Sequence, residues 1–333
     1  MHTSDPTILS EKTDSYLTQL IQKWGNEVSL TLYDKSCLFF YSDKTEGVIG
    51  YRQHKNVVVV IGEPLAQKED KWLLTEEFRH HCQKKGLSLL FLTVSKEFSA
   101  QICQTWNGSS LEIGTHLICD LNKDPQKGSL GRVIRRKTNH AKKLGVCIYE
   151  YQSDQPSSKK ELEKLTTEWL KKRKGPQIYL ADVDCFKGQK GKKWFYATHE
   201  GRIVGAIILH NLEQLSGYLV HIVMTSSSAP NGTGELLILK AMQALKQEGF
   251  KFISFGVAQI DEIGEMNGFS PFYKWIAKIG FKIAKKMFSL DGRRKFWEKF
   301  QPIQSPSYIV FDKKNITLKQ LAALIKSLNI SLS

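Results

Sequence analysis

Residues Leu219–Phe255 read LVHIVM-TSSSAPNGTG-ELLILKAMQALKQEG-FKFISF, so strand-like, turn-like and helix-like segments follow one another. The third segment carries apolar residues at helical spacing and ends at Gly249, which predicts an amphipathic helix. The apolar runs on either side predict two buried strands. The small residues of Asn231–Gly234 predict a sharp turn or a close backbone approach. The stretch therefore predicts a strand-turn-helix-strand unit.

The turn of this unit directly precedes the N-terminus of the predicted helix. Unpaired N–H groups at such a position can hold an anion or a developing oxyanion. An ordinary strand-turn-helix-strand unit of any α/β protein has the same pattern, and short glycine motifs also occur by chance. Both interpretations remain open at this point.

The length of 333 residues is sufficient for two domains of ordinary size, and 41% hydrophobic residues can form a sizeable core. The formal net charge is +15. From Arg132 to Lys193 there are 17 basic against 7 acidic residues, so one segment holds most of the excess. This concentration favours an acidic partner: nucleic acid, an anionic membrane surface or a phosphorylated substrate. A generally basic, solvated surface is the alternative.

The cysteines and histidines give no metal or disulfide pattern. No pair of cysteines has C-x-x-C spacing, and none stands among clustered histidines, so we predict neither structural zinc nor a disulfide framework. The six are Cys37, Cys82, Cys103, Cys119, Cys147 and Cys185. The N-terminus lacks a signal-peptide pattern, and no apolar run approaches the ~20 residues that span a bilayer. We therefore expect a reducing, cytoplasmic location.

Two α/β units follow from the rest of the pattern. Residues 1–124 predict a small mixed unit, with strands at Leu38–Tyr41, Val57–Ile61 and Leu87–Val94. Residues 125–333 open with a basic helix, Leu130–Leu144, and contain the stretch quoted above. Ser270–Lys286 predicts a helix with lysines on one face and inward apolar residues, which are Trp275, Ile276, Ile279 and Ile283.

Several local motifs follow one another along nearly the whole chain. They are Gly62-Glu63-Pro64, the helix from Arg132 to Gly145, Glu168-Trp169-Leu170, Gly201 to Ala206, Met224 with Ala229-Pro230-Asn231-Gly232 and Glu235, Phe255-Gly256-Val257-Ala258, and Lys295 to Pro302 with Tyr308. In this order they resemble the C-terminal cytosolic domain of the phosphatidylglycerol lysyltransferase family. Two positions depart from the family's pattern. Ile222 and Thr225 stand where the family has an acidic residue and an arginine.

The resemblance implies an α/β (α+β) fold of two tandem GNAT-like, that is acetyltransferase-like, units, each a mixed and mostly antiparallel sheet flanked by helices. It implies a transferase that moves an amino acid from aminoacyl-tRNA to a lipid hydroxyl, or, in related double-unit enzymes, to a peptide amine. The positive charge fits a tRNA partner, because phosphate contacts dominate such binding. We expect no cofactor and no DNA partner. An anionic lipid or membrane surface, with a peripheral position at the inner membrane face, is compatible with the same charge.

Two other functions remain open. An acyl-CoA-dependent N-acyltransferase would bind coenzyme A, and its site would need a cationic or amide residue three positions before the Gly-x-Gly motif. Ala229 occupies that position, which argues against this function. A non-catalytic RNA or anionic-membrane binder on the same scaffold is the second alternative, and the departures at Ile222 and Thr225 favour it.

The candidate site residues follow from the chemistry of an aminoacyl ester, whose carbonyl needs a positioned acceptor and a stabilised oxyanion. Glu235 is the candidate catalytic carboxylate, either orienting or basic, and a helix-start acid that complements the helix dipole is the alternative role, which the pattern favours. The candidate substrate-binding residues are Met224, Asn231, Gly232 and Gly234 at the turn, Arg135, Arg136, Asn139 and Lys143 on the basic helix, and Arg173 and Lys299. A solvated helix face is the alternative role for the basic helix.

Overall fold

The structure is a computed structural model that describes residues 11–152, 156–172, 191–260, 262–288 and 291–327. Its helices are α1 (Glu11–Trp24), α2 (Lys71–Lys84), α3 (Lys96–Trp106), α4 (Arg132–Lys143), α5 (Pro156–Lys172), α6 (Thr233–Gln247), α7 (Pro271–Phe288), α8 (Asp291–Glu298) and α9 (Leu318–Ser327). Its strands are β1 (Leu38–Tyr41), β2 (Gly47–His54), β3 (Val57–Ile61), β4 (Leu65–Ala66), β5 (Ser88–Val94), β6 (Ser109–Asp120), β7 (Cys147–Glu150), β8 (Lys192–His199), β9 (Arg202–Leu212), β10 (Gly217–Thr225), β11 (Phe252–Gln259), β12 (Met266–Asn267) and β13 (Ile303–Phe311).

One mixed sheet runs through the molecule. Its main path has the order β1-β2-β3-β5-β13-β6-β11-β10-β9-β8-β7, with β4 and β12 attached at the side. The pairs β3–β5 and β10–β11 are parallel, whereas the other neighbours on this path are antiparallel. The predicted α/β class with a mostly antiparallel sheet is confirmed.

Each half of the sheet repeats the same plan. An antiparallel meander, β1-β2-β3 or β7-β8-β9-β10, leads through a helix to a parallel neighbour, β5 or β11. An antiparallel strand then follows in space, and it comes from elsewhere in the chain: β13 beside β5, and β6 beside β11. The two halves therefore share one sheet and exchange strands. The boundary predicted at residue 124 stays a prediction.

Helices cover both faces of the second unit. On one face α4 and α6 pack on the sheet through buried residues that include Ile134, Ala141 and Leu237. On the other face α5 contributes Leu162 and Leu165 to a separate cluster. Burial of this kind stabilises a side chain by about 1.5–3 kcal/mol. The helical spacing in the sequence thus marks the faces on which α4 and α6 meet.

Helix α7 differs from its prediction. Trp275 and Ile279 were predicted to face inward, but both are exposed, and Ile276 is only half-buried. Tyr273 of α7 packs against the core beneath the helix. The side chain of Ile283 lies outside the described residues. The prediction was wrong because α7 carries apolar residues on two sides, and spacing alone does not indicate which side meets the core.

Candidate active site

Strands β10 and β11 run side by side only where they begin. Gly217–Leu219 pairs in parallel with Phe252–Ser254, and both strands then continue, to Thr225 and Gln259, without further pairing to each other along their described lengths. Each strand also has a register irregularity near the point of separation. Separating strands leave backbone N–H and C=O groups that need other partners. The gap can therefore receive hydrogen bonds from a bound ligand.

The turn before α6 needs glycine at position 232. Gly232 has φ +99°, and a Cβ there would lie 2.1 Å from the backbone oxygen of Lys137. A side chain is incompatible with that separation, and the backbone conformation itself favours glycine. Thr233 fixes the turn from the other side, because its hydroxyl donates to the Pro230 carbonyl at 2.7 Å. The missing side chain lets α4 approach α6 and brings Lys137 beside the first turn of α6.

Glu235 lies in that first turn between two lysines. Lys299 Nζ donates to Glu235 Oε1 at 2.8 Å, and Lys137 Nζ is 3.2 Å from the same oxygen. Lys137 Nζ also donates to Asn231 Oδ1 at 3.2 Å. The Glu235 side chain is only 5% exposed. We call Glu235, Lys137 and Lys299 the Glu–Lys cluster. It carries one net positive charge at a helix N-terminus, a combination that favours an anion.

The pKa of Glu235 lies below its ordinary value. Burial raises the pKa of the carboxyl, but the hydrogen bond from Lys299, a backbone hydrogen bond and the charges of Lys299 and Lys137 together lower it further than burial raises it. Glu235 is therefore a carboxylate at neutral pH. A carboxylate with a lowered pKa is a weak base, so this environment suits an orienting or electrostatic role better than proton abstraction.

A cavity of about 590 Å³ adjoins the cluster and the gap. Its lining includes β10, β11, the turn before α6, and residues of the N-terminal half such as Glu27 and Thr93. Aromatic rings form part of the wall: Trp297 stacks on Phe255 with centroids 4.4 Å apart. A volume of this size matches small-molecule sites, which are mostly apolar with a few polar groups.

Two histidine contacts lie at or next to the cavity. His221 lines it, and its ring meets that of His210 at 4.9 Å. Burial, followed by the neighbouring His221 and Lys192, lowers the pKa of His210 to about 3. Burial, followed by the charge of Lys192, lowers the pKa of His221 to about 4. Both rings are therefore neutral at pH 7. Glu27 accepts a hydrogen bond from His116 Nδ1 at 2.6 Å. Burial raises the pKa of Glu27, but this hydrogen bond, the charge of His116 and a backbone hydrogen bond together lower it further than burial raises it.

The structure brings some of the predicted site residues together at the cavity. Asn231, Gly232, Gly234, Glu235 and Lys299 all line it. Their assignment to substrate binding or catalysis stays a prediction.

The other predicted site residues lie elsewhere. Met224 is fully buried in the core on the α5 side of the sheet. The Arg135 guanidinium donates to the backbone oxygens of Gln126 and Gly128, so it holds the loop before α4. Arg136, Asn139 and Lys143 are exposed on α4 and do not line the cavity. Arg173 lies outside the described residues.

Sequence reasoning missed Lys137, although it lies within the predicted basic helix. Its position, three residues after the buried Ile134, places it at the edge of the buried face of α4, and this spacing could have distinguished it from the exposed arginines. Sequence reasoning also assigned no site residue to the N-terminal half, which contributes Glu27 and Thr93 to the lining of the cavity. Those contacts depend on tertiary packing and have no local signal.

Among the described residues, no group of three or more His, Cys, Asp or Glu side chains could hold a metal ion. None of the described helices is both long enough and apolar enough to cross a bilayer.

The sequence matches the family described as "Phosphatidylglycerol lysyltransferase, C-terminal" over residues 19–311. A phosphatidylglycerol lysyltransferase of Bacillus subtilis (strain 168) is 25% identical over 314 residues, which are 93% of this chain and 36% of that protein. The chain spans about a third of the length of the curated relatives it matches.

Two solved structures have the same fold. L-PGS from Bacillus licheniformis superposes with a TM-score of 0.80 at 20% identity, covering 99% of this chain and 98% of that chain. The C-terminal domain of a putative lysylphosphatidylglycerol synthetase from Agrobacterium fabrum superposes with a TM-score of 0.78 at 18% identity, covering 96% of each chain. The tandem architecture is thus shared along nearly the whole chain.

Proposed function

This chain belongs to the phosphatidylglycerol lysyltransferase C-terminal family, and we propose that it moves an amino acid from aminoacyl-tRNA to a lipid or peptide acceptor. The relatives are named for a lysyl donor and a phosphatidylglycerol acceptor, so these are the first substrates to test. An aminoacyl-tRNA donor and a phosphatidylglycerol acceptor together would place the reaction at the cytoplasmic face of an anionic membrane.

The observation that carries the proposal is the Glu–Lys cluster at the gap between β10 and β11. The gap offers backbone groups, and the start of α6 offers N–H groups and a positive dipole end. Lys137 and Lys299 add two charges, of which Glu235 neutralises one. Both proposed substrates carry phosphate, and a net positive site at a helix N-terminus suits a phosphate oxygen.

The reaction needs little beyond positioning, because an aminoacyl ester is already activated. The acceptor hydroxyl attacks the ester carbonyl, and a new ester bond forms while the bond to the tRNA ribose oxygen breaks. The proton leaves the acceptor hydroxyl and ends on that ribose oxygen, so atoms and charge balance. The negative charge that develops on the carbonyl oxygen is stabilised by nearby N–H groups and by lysine. Glu235 holds the two lysines in place.

Donor binding is proposed to use the basic surface of the second unit. Arg136 and Lys143 are exposed on α4, the helix that also carries Lys137. Phosphate contacts of this kind release counterions, so tRNA affinity should fall steeply with salt. Arg135 would contribute indirectly, because its guanidinium holds the loop before the helix.

The test is transfer of label from lysyl-tRNA to vesicles that contain phosphatidylglycerol, with a peptide extract as the second acceptor. Wild type is compared with Lys299→Met and with the matched control Lys240→Met, since Lys240 is exposed on α6 and does not line the cavity. We expect at least a tenfold loss of transfer for Lys299→Met, which corresponds to about 1.4 kcal/mol. The control should retain wild-type transfer.

An outcome without transfer is equally informative. If label stays on every aminoacyl-tRNA with both acceptors while tRNA still binds in a salt-dependent way, the chain is a binder and not a transferase. The replacements at Ile222 and Thr225 favour that second function, because both residues line the cavity and neither carries a charge.

A further inference from the structure

Helix α7 presents a row of large apolar side chains to solvent. Phe272 is 62% exposed, Trp275 61% and Ile279 39%. The rings of Phe272 and Trp275 stack at 6.5 Å with an angle of 26°, so they form one ridge along the helix. Single exposed apolar residues are ordinary, but a contiguous row with two aromatics marks an interaction surface.

A row of lysines runs beside this ridge. Lys274, Lys278 and Lys282 are all exposed, and their spacing of four places them on one side of the helix. Lys278 follows Trp275 by three residues, so the two rows are neighbours on the helix surface. Residues 271–288 contain five lysines and no Asp or Glu. The surface that meets α7 must therefore accept both apolar rings and positive charge.

The opposite side of α7 holds the helix against the protein. Tyr273 packs onto the core cluster that contains Phe269 and Phe311. Among the described residues, α7 therefore meets this core cluster through Tyr273 and not through the exposed ridge. Aromatic residues and lysines on the outward faces of a surface helix are the pattern of helices that lie in the membrane interface.

We propose that the Phe272–Ile279 ridge and its lysine row form a docking surface for an anionic phospholipid bilayer. Charge selects this occupant: the lysine row complements lipid phosphates, and the rings enter the headgroup boundary. The role of this surface rests on the proposed transfer to lipid, because docking would bring the cavity close to the lipid acceptor. The chain continues from α7 into α8, which carries Phe296 and Trp297 to the cavity wall.

The experiment is flotation of the full chain with vesicles, in the absence of any aminoacyl donor. One set of vesicles contains phosphatidylcholine and phosphatidylglycerol, and the other contains phosphatidylcholine alone. Phe272→Ser/Trp275→Ser removes the ridge, and Lys274→Glu/Lys278→Glu reverses part of the lysine row. The matched controls are Leu318→Ser, an exposed apolar residue on α9, and Lys240→Glu on α6. Urea denaturation checks that each variant is folded.

Wild type should float with anionic vesicles, less so at high salt, and not with neutral ones. Each ridge or lysine variant should bind at least tenfold more weakly, because one lysine near an anionic surface contributes about fivefold. The controls should stay within about twofold of wild type. Equal binding by wild type and ridge variant, or no vesicle binding, would overturn the assignment. The assignment would also be overturned if wild type self-associates and the ridge variant does not, while both float equally, because the ridge would then be a protein interface. Since no donor is present, failure of the transfer reaction leaves this measurement unaffected.

Discussion

Replacing Gly232 with alanine tests the idea that a missing side chain assembles the Glu–Lys cluster. Gly232 has φ +99°, where an L-residue is strained, and an added Cβ would lie 2.1 Å from the Lys137 carbonyl oxygen. The strain costs about 1–3 kcal/mol. The collision forces α4 and the turn apart, which costs roughly a further 1–3 kcal/mol in a packed region. The sum is on the order of 2–6 kcal/mol.

Gly249→Ala provides the matched control. Gly249 also has a positive φ, +87°, but an added Cβ there would meet nothing within 4 Å. It therefore carries the strain without the collision. The difference between the two variants isolates the close approach of α4, and we expect it to be roughly 1–3 kcal/mol. Urea denaturation at constant slope m measures both free energies of unfolding.

The same variant should lose function for a positional reason. Displacing α4 moves Lys137 away from Glu235 and Asn231, so Gly232→Ala should lower aminoacyl transfer by more than Gly249→Ala does, even at temperatures where both are folded. If the two variants are equally stable and equally active, the close approach does not organise the site, and the reasoning is refuted.

Three other predictions follow from charges in the structure. The pKa of Glu235 is lowered in the folded state, so the carboxylate stabilises the fold at pH values above its ordinary pKa of 4.5, and this contribution disappears as the pH falls through the lower folded pKa. The difference in free energy of unfolding between wild type and Glu235→Gln, measured by urea denaturation, should therefore shrink below about pH 4.5 and stay constant above it. The folded pKa values of His210 and His221 are also lowered, so the unfolded chain binds protons first as the pH falls. The free energy of unfolding should therefore decrease from pH 6.5 towards pH 4, by on the order of 3 kcal/mol for His221. His210→Gln/His221→Gln should flatten this pH dependence of stability, and an unchanged pH dependence would show that the two histidines do not cause it. Arg136→Glu on α4 should reduce the salt dependence of tRNA binding, whereas Lys240→Glu should not; equal slopes for both variants would exclude α4 as the tRNA contact.

Local patterns in the sequence were sufficient for much of the fold. The apolar spacing of α6, the stop at Gly249 and the glycine turn before Thr233 are signals within a few residues, and the structure has each element at its predicted place. Helix α3 was not predicted, although Ser95 caps it and Phe98 and Ile102 lie at helical spacing. That signal was present in the sequence.

The candidate site was only partly accessible in this way. Asn231, Gly232 and Glu235 stand together in the sequence, and they also line the cavity. Lys137 reaches Glu235 from 98 positions away because α4 approaches the glycine turn. Arg135, a predicted site residue only two positions before Lys137, lies on a different side of α4 and is held by carbonyls of the preceding loop.

Local sequence patterns specified most of the helices and strands, because hydrogen bonds within a helix join near neighbours and side-chain periodicity follows from the geometry of each element. Tertiary structure alone decided three things: that β13 pairs between β5 and β6, that β10 and β11 separate into a gap, and that α7 turns Trp275 outward. Each depends on contacts between residues far apart in the chain. A local pattern can specify an apolar face, but only the packed neighbours determine what that face meets.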